Sequence, residues 1–146
     1  MNKCFWLMLA TMVVVPTSVA SVPHVELAIH HRPTAGAPNT VRLTATNFGP
    51  GDAYVMSYQT PFALPDGRMT GRWVDVRETS GKEVVYKGRW VLTRSPGPSM
   101  YRRIARGEVI EVDIDLSTEY MLPEEGVISA RSSISVMDRL PGLDAM

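Results

Sequence analysis

The chain has 146 residues, and its 15 basic side chains are balanced by 15 acidic ones. This length allows one domain with a substantial hydrophobic core. The balanced charge gives no electrostatic footprint for nucleic acid or for an anionic membrane surface, so neither is expected as a partner. Eleven glycines and eleven prolines separate short apolar runs, which is typical of an all-β domain with many turns.

Residues 1–20 are predicted to be a signal peptide. Lys3 precedes an apolar run at residues 5–15, which is too short to span a bilayer comfortably. Ser18 and Ala20 place small side chains where a signal peptidase reads them, so cleavage is expected between Ala20 and Ser21. The expected destination is secreted or periplasmic, and a retained N-terminal anchor is the weaker alternative.

Cys4 is the single cysteine of the chain and would be removed with the signal peptide. The mature domain is therefore expected to have no disulfide, no thiolate nucleophile and no cysteine-based zinc site. Core packing has to supply its stability.

Short runs of alternating apolar and polar residues follow, separated by Gly- and Pro-containing turns about every ten residues. The predicted strands cover residues 22–30, 41–46, 53–60, 72–78, 83–86, 89–93, 101–104, 110–116 and 128–136. This pattern predicts an all-β fold, an Ig-like antiparallel β-sandwich of seven to nine short strands spanning residues 21–136. Residues 137–146 lose the alternation and are expected to form a flexible tail or linker stub.

The stretch 107–136 shows the pattern most clearly. Its first strand alternates apolar residues with a row of three carboxylates, Glu111, Asp113 and Asp115. Residues 116–120 are predicted to cross between sheets, with Tyr120 as a tyrosine corner whose hydroxyl bonds back to the main chain. Gly107 precedes the first strand and Gly126 belongs to the turn at 123–126, and both are assigned structural roles.

No motif for catalysis, metal binding or phosphate binding occurs in the chain. Adjacent strand residues point to opposite faces, so His30 and His31 cannot both ligate one metal without a kink. A row of carboxylates along one strand does not converge on a calcium ion, and the solvated face of a sheet is the favoured interpretation. We predict no catalytic residue, no metal site and no cofactor.

Two further groups of residues leave alternatives open. The first comprises aromatic side chains that are expected mainly in the core, although they could form a binding surface: Tyr54, Tyr58, Trp73, Tyr86, Trp90 and Tyr101. The second is the basic run at residues 102–106, which could neutralise the acidic strand or meet an acidic partner.

Four segments resemble the N-terminal prodomain of deuterolysin-type zinc endopeptidases, the aspzincin family that includes the peptidyl-Lys metalloendopeptidases. They read VRLTATNFG, YQTPF, DVRETSGKEVVYKGRWVLTRSPGP and RGEVIEVDIDLSTEYMLPEEG. The YKG run at residues 86–88 and the DLSTEY run at 115–120 carry most of the likeness, which covers about residues 22–136.

The resemblance implies an Ig-like sandwich of the non-catalytic kind, which assists folding of a zinc endopeptidase or inhibits it. The family's catalytic domain carries HExxH and a downstream aspartate, and no position here matches them, so no enzyme activity is expected. The expected partner contacts lie on an exposed edge strand, on the 137–146 tail, or on the loop 62–70 through Phe62, Pro65, Asp66, Arg68 and Met69. The alternative is an extracellular or periplasmic structural or adhesive module that binds a protein or a glycan.

Overall fold

The computed structural model describes residues 23–62, 68–92 and 96–140. These residues form an all-β fold of three antiparallel sheets, in agreement with the sandwich architecture predicted from the sequence. The strands are β1 (Val25–His31), β2 (Thr40–Asn47), β3 (Ala53–Met56), β4 (Val74–Glu78), β5 (Tyr101–Ile104), β6 (Val109–Asp115), β7 (Ile128–Ser132) and β8 (Val136–Met137). The predicted signal peptide and its cleavage site at Ala20 and Ser21 lie outside the described residues.

The first sheet has the order β1-β2-β6, with β2 in the centre. Its register places Leu43 of β2 opposite Ile29 on one side and Val112 on the other. Leu43 is fully buried, whereas its sequence neighbour Arg42 reaches the outer face. The two-residue period of the sequence therefore produces one apolar and one polar face, as predicted.

The second sheet has the order β5-β3-β8, and the third pairs β4 with β7. The core lies between these sheets and the first one, and its buried apolar side chains come from all three. They are Val41, Leu43, Ala45, Ala53, Val55, Phe62, Met69, Val74, Val76, Val84, Ile104, Ile110, Ile114, Leu116 and Tyr120.

Helix α1 (Leu116–Glu119) is the crossing that the sequence predicts after β6. Asp115 begins it by accepting a hydrogen bond from the Ser117 amide at 2.9 Å, as an N-cap carboxylate does. The helix ends at Tyr120, whose side chain is fully buried and whose hydroxyl donates to the Val74 carbonyl. The Tyr120 hydroxyl bonds to the main chain, but its acceptor lies in β4, 46 residues earlier in the sequence, and not a few residues upstream as in a tyrosine corner.

Two predicted strands, at residues 83–86 and 89–93, are wrong. Within the described part of this stretch, pairing is limited to isolated bridges of Glu83 with Arg77 and of Tyr86 with Tyr120. The amide of Val84 bonds to β4, whereas the next bonded amides reach the end of α1. The segment changes partners after a few residues, so no continuous ladder forms.

Several other strand boundaries also differ from the prediction, most of them by one or two residues. The strand expected at 53–60 ends at Met56, where a 3₁₀ turn over Ser57–Gln59 follows. The strand expected at 128–136 divides into β7 and β8, which belong to different sheets. Because β8 pairs Met137 with Tyr54, the sheet extends one residue into the segment expected to be a tail.

Gly107 and Gly126 both occupy turns, as expected. Their φ angles are +76° and +115°, a region that glycine enters readily and other residues enter rarely. The Gly107 amide also donates to the Asn47 carbonyl at 2.8 Å, which fixes the entry to β6.

Candidate functional site on the 85–92 edge

The YKG and DLSTEY runs lie against each other in the structure. Tyr86 bridges to Tyr120, and the Lys87 and Gly88 amides donate to the Glu119 carbonyl at 2.8 and 3.2 Å. The Met121 amide donates to the Val85 carbonyl at 2.9 Å and continues this antiparallel contact. The two segments therefore form one structural unit although about thirty residues of sequence separate them.

Glu119 is the buried charge at the centre of this unit. Its carboxylate is 0% exposed, and Oε1 accepts a hydrogen bond from Arg68 Nε at 2.5 Å. Its other oxygen, Oε2, accepts no hydrogen bond from the part of the chain that the structure describes. Removing a carboxylate from water costs several kcal/mol, and a close cation offsets that cost only in part. Arg68 is therefore required where it lies, and it ties the 68–70 segment to α1.

Gly88 provides the space that the Glu119 carboxylate occupies. A Cβ at this position would lie 2.1 Å from Glu119 Oε2 and 2.5 Å from the Tyr86 hydroxyl. Gly88 is not among the glycines with positive φ, so the backbone here would accept another residue. The close packing of the carboxylate and the phenol excludes a side chain, and this explains the glycine in YKG.

Three aromatic rings pack edge to face along the unit. The Tyr86 ring lies 5.3 Å from that of Tyr120 and 5.4 Å from that of Trp90, both in edge-to-face geometry. The Tyr86 hydroxyl donates to the Arg89 carbonyl at 2.9 Å. Burial, and then the neighbouring Glu119 carboxylate, raises the pKa of Tyr86 to about 12. Burial likewise raises the pKa of Tyr120, so both phenols stay protonated at neutral pH.

The outer side of this unit exposes large apolar side chains, which we call the apolar edge. It comprises Val85, Trp90, Leu92 and Met121, which are 60%, 66%, 91% and 63% exposed. Lys87 and Arg89 are exposed among them. The expectation that Trp90 belongs to the core is wrong, because the described stretch carrying it is not a strand and its side chain is mostly exposed, with its indole edge-to-face against the Tyr86 ring. Trp73, in contrast, packs against the core as expected.

The loop residues predicted as partner contacts lie at different depths. Phe62 and Met69 are buried and belong to the core, so their side chains are not presented to a partner. Arg68 is half-exposed and holds Glu119. Pro65 and Asp66 lie outside the described residues.

The residues of this unit whose packing the sequence did not indicate are Glu119 and Gly88. Glu119 follows the polar residues of α1 and has no feature that distinguishes it from a solvated carboxylate. Gly88 lies between the strands predicted at residues 83–86 and 89–93, and no local pattern indicates its packing against Glu119.

Two of the histidines and two carboxylates of the β6 row contact polar groups of the same domain. His24 contacts Glu26 at 3.0 Å, and His31 Nε2 lies 2.9 Å from the Pro38 carbonyl oxygen. Arg42 donates twice to Asp113 at 2.7 Å and lies 3.1 Å from Glu111. Across residues 23–62, 68–92 and 96–140, no three His, Cys, Asp or Glu side chains are grouped as metal ligands.

The basic run at 102–106 also has a local contact. Arg103 pairs with Asp52 at 2.7 Å, which joins β5 to the turn before β3. Arg103, one of the cations of this run, is therefore paired within the domain. Its partner is Asp52, and not a carboxylate of the β6 row as one of the two expected alternatives supposed.

A cleft of about 410 Å³ opens between β1 and β7. Aliphatic residues line most of it, including Ile29, Val41, Leu116 and Ile128, together with His31. Its lining has no carboxylate and no hydroxyl side chain, so its chemistry suits an apolar group.

No helix in the described part of the chain has the length and apolar character needed to cross a bilayer. No protein-family model matches this chain, and no curated protein is found to be similar to it.

Proposed function

We propose that this chain is a non-catalytic binding domain that acts on a deuterolysin-type zinc endopeptidase, as a folding assistant or as an inhibitor. The proposal draws its partner from the resemblance of the YKG and DLSTEY runs to the prodomains of that family. It places the domain outside the cytoplasm, where the predicted signal peptide would direct it.

The apolar edge is the observation that carries the proposal. Four large apolar side chains, each more than half-exposed, occur on one short segment and on the residue bonded to it. Exposed apolar residues scattered singly need no explanation, whereas a group of them marks an interaction surface. Trp and Met are enriched at protein interfaces, and three of the four side chains are not aromatic, which favours a protein contact over stacking on a glycan.

The test measures both activities with the purified mature protein. For inhibition, the protein is titrated into an active deuterolysin-type endopeptidase and peptide hydrolysis is followed, with complex formation checked by size-exclusion chromatography. For folding assistance, the denatured endopeptidase is refolded with and without the protein, and the recovered activity is compared. We expect saturable inhibition or an increased refolding yield. Unchanged activity, unchanged yield and no complex would refute the proposal.

A further inference from the structure

We propose that the cleft between β1 and β7 is a peptide-binding groove, which takes an extended segment of another protein as an added antiparallel strand beside β7. The segment carries apolar side chains at alternate positions and points them into the cleft. The cleft shares no residue with the apolar edge. This inference therefore goes beyond the proposed function, and it does not depend on which protein supplies the segment.

β7 has a main-chain edge without a partner strand. On its paired side it contacts β4, where the Val84 amide donates to the Val76 carbonyl at 2.9 Å, so Val76 faces away from β7. Because antiparallel strands bond through every second residue, the ladder with β4 uses the odd-numbered residues of β7. The amide and carbonyl groups of Ile128 and Ala130 point to the other side, and no described residue bonds to them there. These donors and acceptors are spaced for another strand.

β1 borders the cleft from the opposite sheet and also has a free edge. The Arg32 amide donates to the Thr40 carbonyl and the Phe48 amide to the His24 carbonyl, both at 2.8 Å, at the two ends of the ladder with β2. The even-numbered residues of β1 therefore face β2, and the main-chain groups of Ile29 point to the opposite side. The cleft thus opens along strand edges of both sheets, where a sandwich can accept one more strand.

The apolar side chains beside the cleft are only half-buried. Ile128, Ala130 and Ile29 pack against the core but keep part of their surface exposed. In the central strand β2, by contrast, Leu43 and Ala45 are fully buried. An added strand would bury the remaining apolar surface, which is favourable. Only its inward side chains would meet that surface, so its apolar residues have to occupy every second position.

The size of the cleft limits the length of the segment. The cleft has a volume of about 410 Å³, whereas a cavity of about 150 Å³ is enough to bind benzene. The cleft therefore has room for about two or three side chains of that size. At alternate positions of a strand, these side chains belong to a segment of about five residues.

Charge and sheet size favour β7 over the other edges. β6 and β5 also lie at sheet edges, but β6 carries three carboxylates in seven residues and β5 carries two arginines in four. Charged side chains on an edge strand discourage pairing, and Arg131 is the one charged residue of β7. β7 also belongs to a sheet of two strands. Because two-stranded sheets are marginally stable, this sheet gains more from a further strand than the three-stranded sheet of β1.

The test uses a fluorescein-labelled peptide that alternates valine with threonine over seven residues, with binding to the mature protein followed by fluorescence anisotropy. In an antiparallel strand whose valines point inward, the valine amides bond to β7 and the threonine amides point away. N-methylation of the valine amides should therefore weaken binding about tenfold or more. N-methylation of the threonine amides is the matched control and should weaken it less. A peptide of the same composition with its valines consecutive should also bind more weakly.

Two variants and hydrogen exchange locate the bound peptide. Val127 lines the cleft and is 74% exposed, so Val127→Asp should keep the fold and weaken binding about tenfold or more. Val109→Asp is the control, because Val109 is 55% exposed in β6, outside the cleft, and it should retain wild-type affinity. Bound peptide should slow amide exchange at Ile128 and Ala130.

Four results would overturn the proposal. They are the absence of saturable binding, equal affinities of the two methylated peptides, an undiminished affinity of Val127→Asp, and unchanged exchange at Ile128 and Ala130. Binding that appears only after residues 141–146 are removed would show that the chain's own segment fills the cleft. Slower exchange at Ile128 and Ala130 as the concentration of peptide-free protein rises would assign the cleft to a second copy. Either of these would also overturn it, and neither bears on the proposed function, which is tested with the endopeptidase.

Discussion

Gly88→Ala tests the packing of the YKG unit with the smallest possible change. The new methyl carbon would lie 2.1 Å from Glu119 Oε2, 2.5 Å from the Tyr86 hydroxyl and 2.6 Å from Tyr86 Cζ. Ordinary van der Waals contact begins at 3.4 Å, so each of these atoms is about an ångström too close. The backbone can accept alanine here, because φ is not positive, and the entire penalty is therefore steric.

Neither neighbour can move away freely. Glu119 is held by Arg68 and is buried on all sides, and the Tyr86 ring lies between those of Trp90 and Tyr120. Overpacking of this kind costs about 1–3 kcal/mol, and loosening a buried ion pair adds to it, by less than the full ~3–5 kcal/mol because Arg68 is half-exposed. Alanine returns about 0.4–1 kcal/mol through the unfolded state. We expect a net loss of roughly 1–4 kcal/mol, a large part of the ~5–15 kcal/mol that stabilises a domain.

Urea denaturation followed by circular dichroism measures this loss, with Gly97→Ala as the control. Gly97 has φ −87° and ψ 166°, and a Cβ there would meet nothing within 4 Å. Gly97→Ala should leave the free energy of unfolding unchanged or raise it by up to about 1 kcal/mol. If Gly88→Ala unfolds at the same urea concentration as Gly97→Ala, the described packing of Glu119 against Gly88 is incorrect.

Three further predictions concern the same unit. Tyr120→Phe leaves the Val74 carbonyl without its buried donor and should lower the free energy of unfolding by about 1–3 kcal/mol in urea titrations. Arg68→Met leaves the buried Glu119 carboxylate without its cation and should lower the melting temperature more than Glu119→Gln, which removes the charge and keeps the shape; equal effects would contradict the ion pair. The pKa of Tyr86 is raised from 10.0 to about 12 in the folded protein, so the folded state retains its proton longer than the unfolded state. The resulting stability is complete below pH 10 and is lost as the pH rises towards 12, and Tyr86→Phe should flatten that decline in alkaline denaturation curves.

The sheets could be predicted from the sequence where strands bury one face. In β2 and β6 a two-residue period places Leu43 and Ile114 inside and Arg42 and Asp113 outside, and local pattern alone determines that arrangement. The same pattern misleads at residues 83–92, because alternation also occurs in an extended segment that bonds to several neighbours in turn. Which neighbour an amide reaches depends on tertiary structure, and no local pattern records it.

The candidate site was harder to predict for the same reason. The likeness of YKG and DLSTEY to prodomains drew attention to both runs, yet nothing in either run indicates that Gly88 packs against Glu119. Burial of a glutamate depends on an arginine about fifty residues earlier in the sequence, and the exposure of Trp90 depends on its segment failing to join a sheet. Long-range contacts determine both features. The local sequence pattern therefore predicted a buried Trp90, and it predicted no role for Glu119.

The most direct test of the central claim is a calorimetric titration of the mature protein into a deuterolysin-type zinc endopeptidase, repeated with Trp90→Ala. The proposed function predicts a saturable complex with wild-type protein and an affinity about tenfold or more weaker with the variant. A titration with no binding heat, supported by unchanged peptide hydrolysis and unchanged refolding yield, would contradict the assignment of this domain to such a partner.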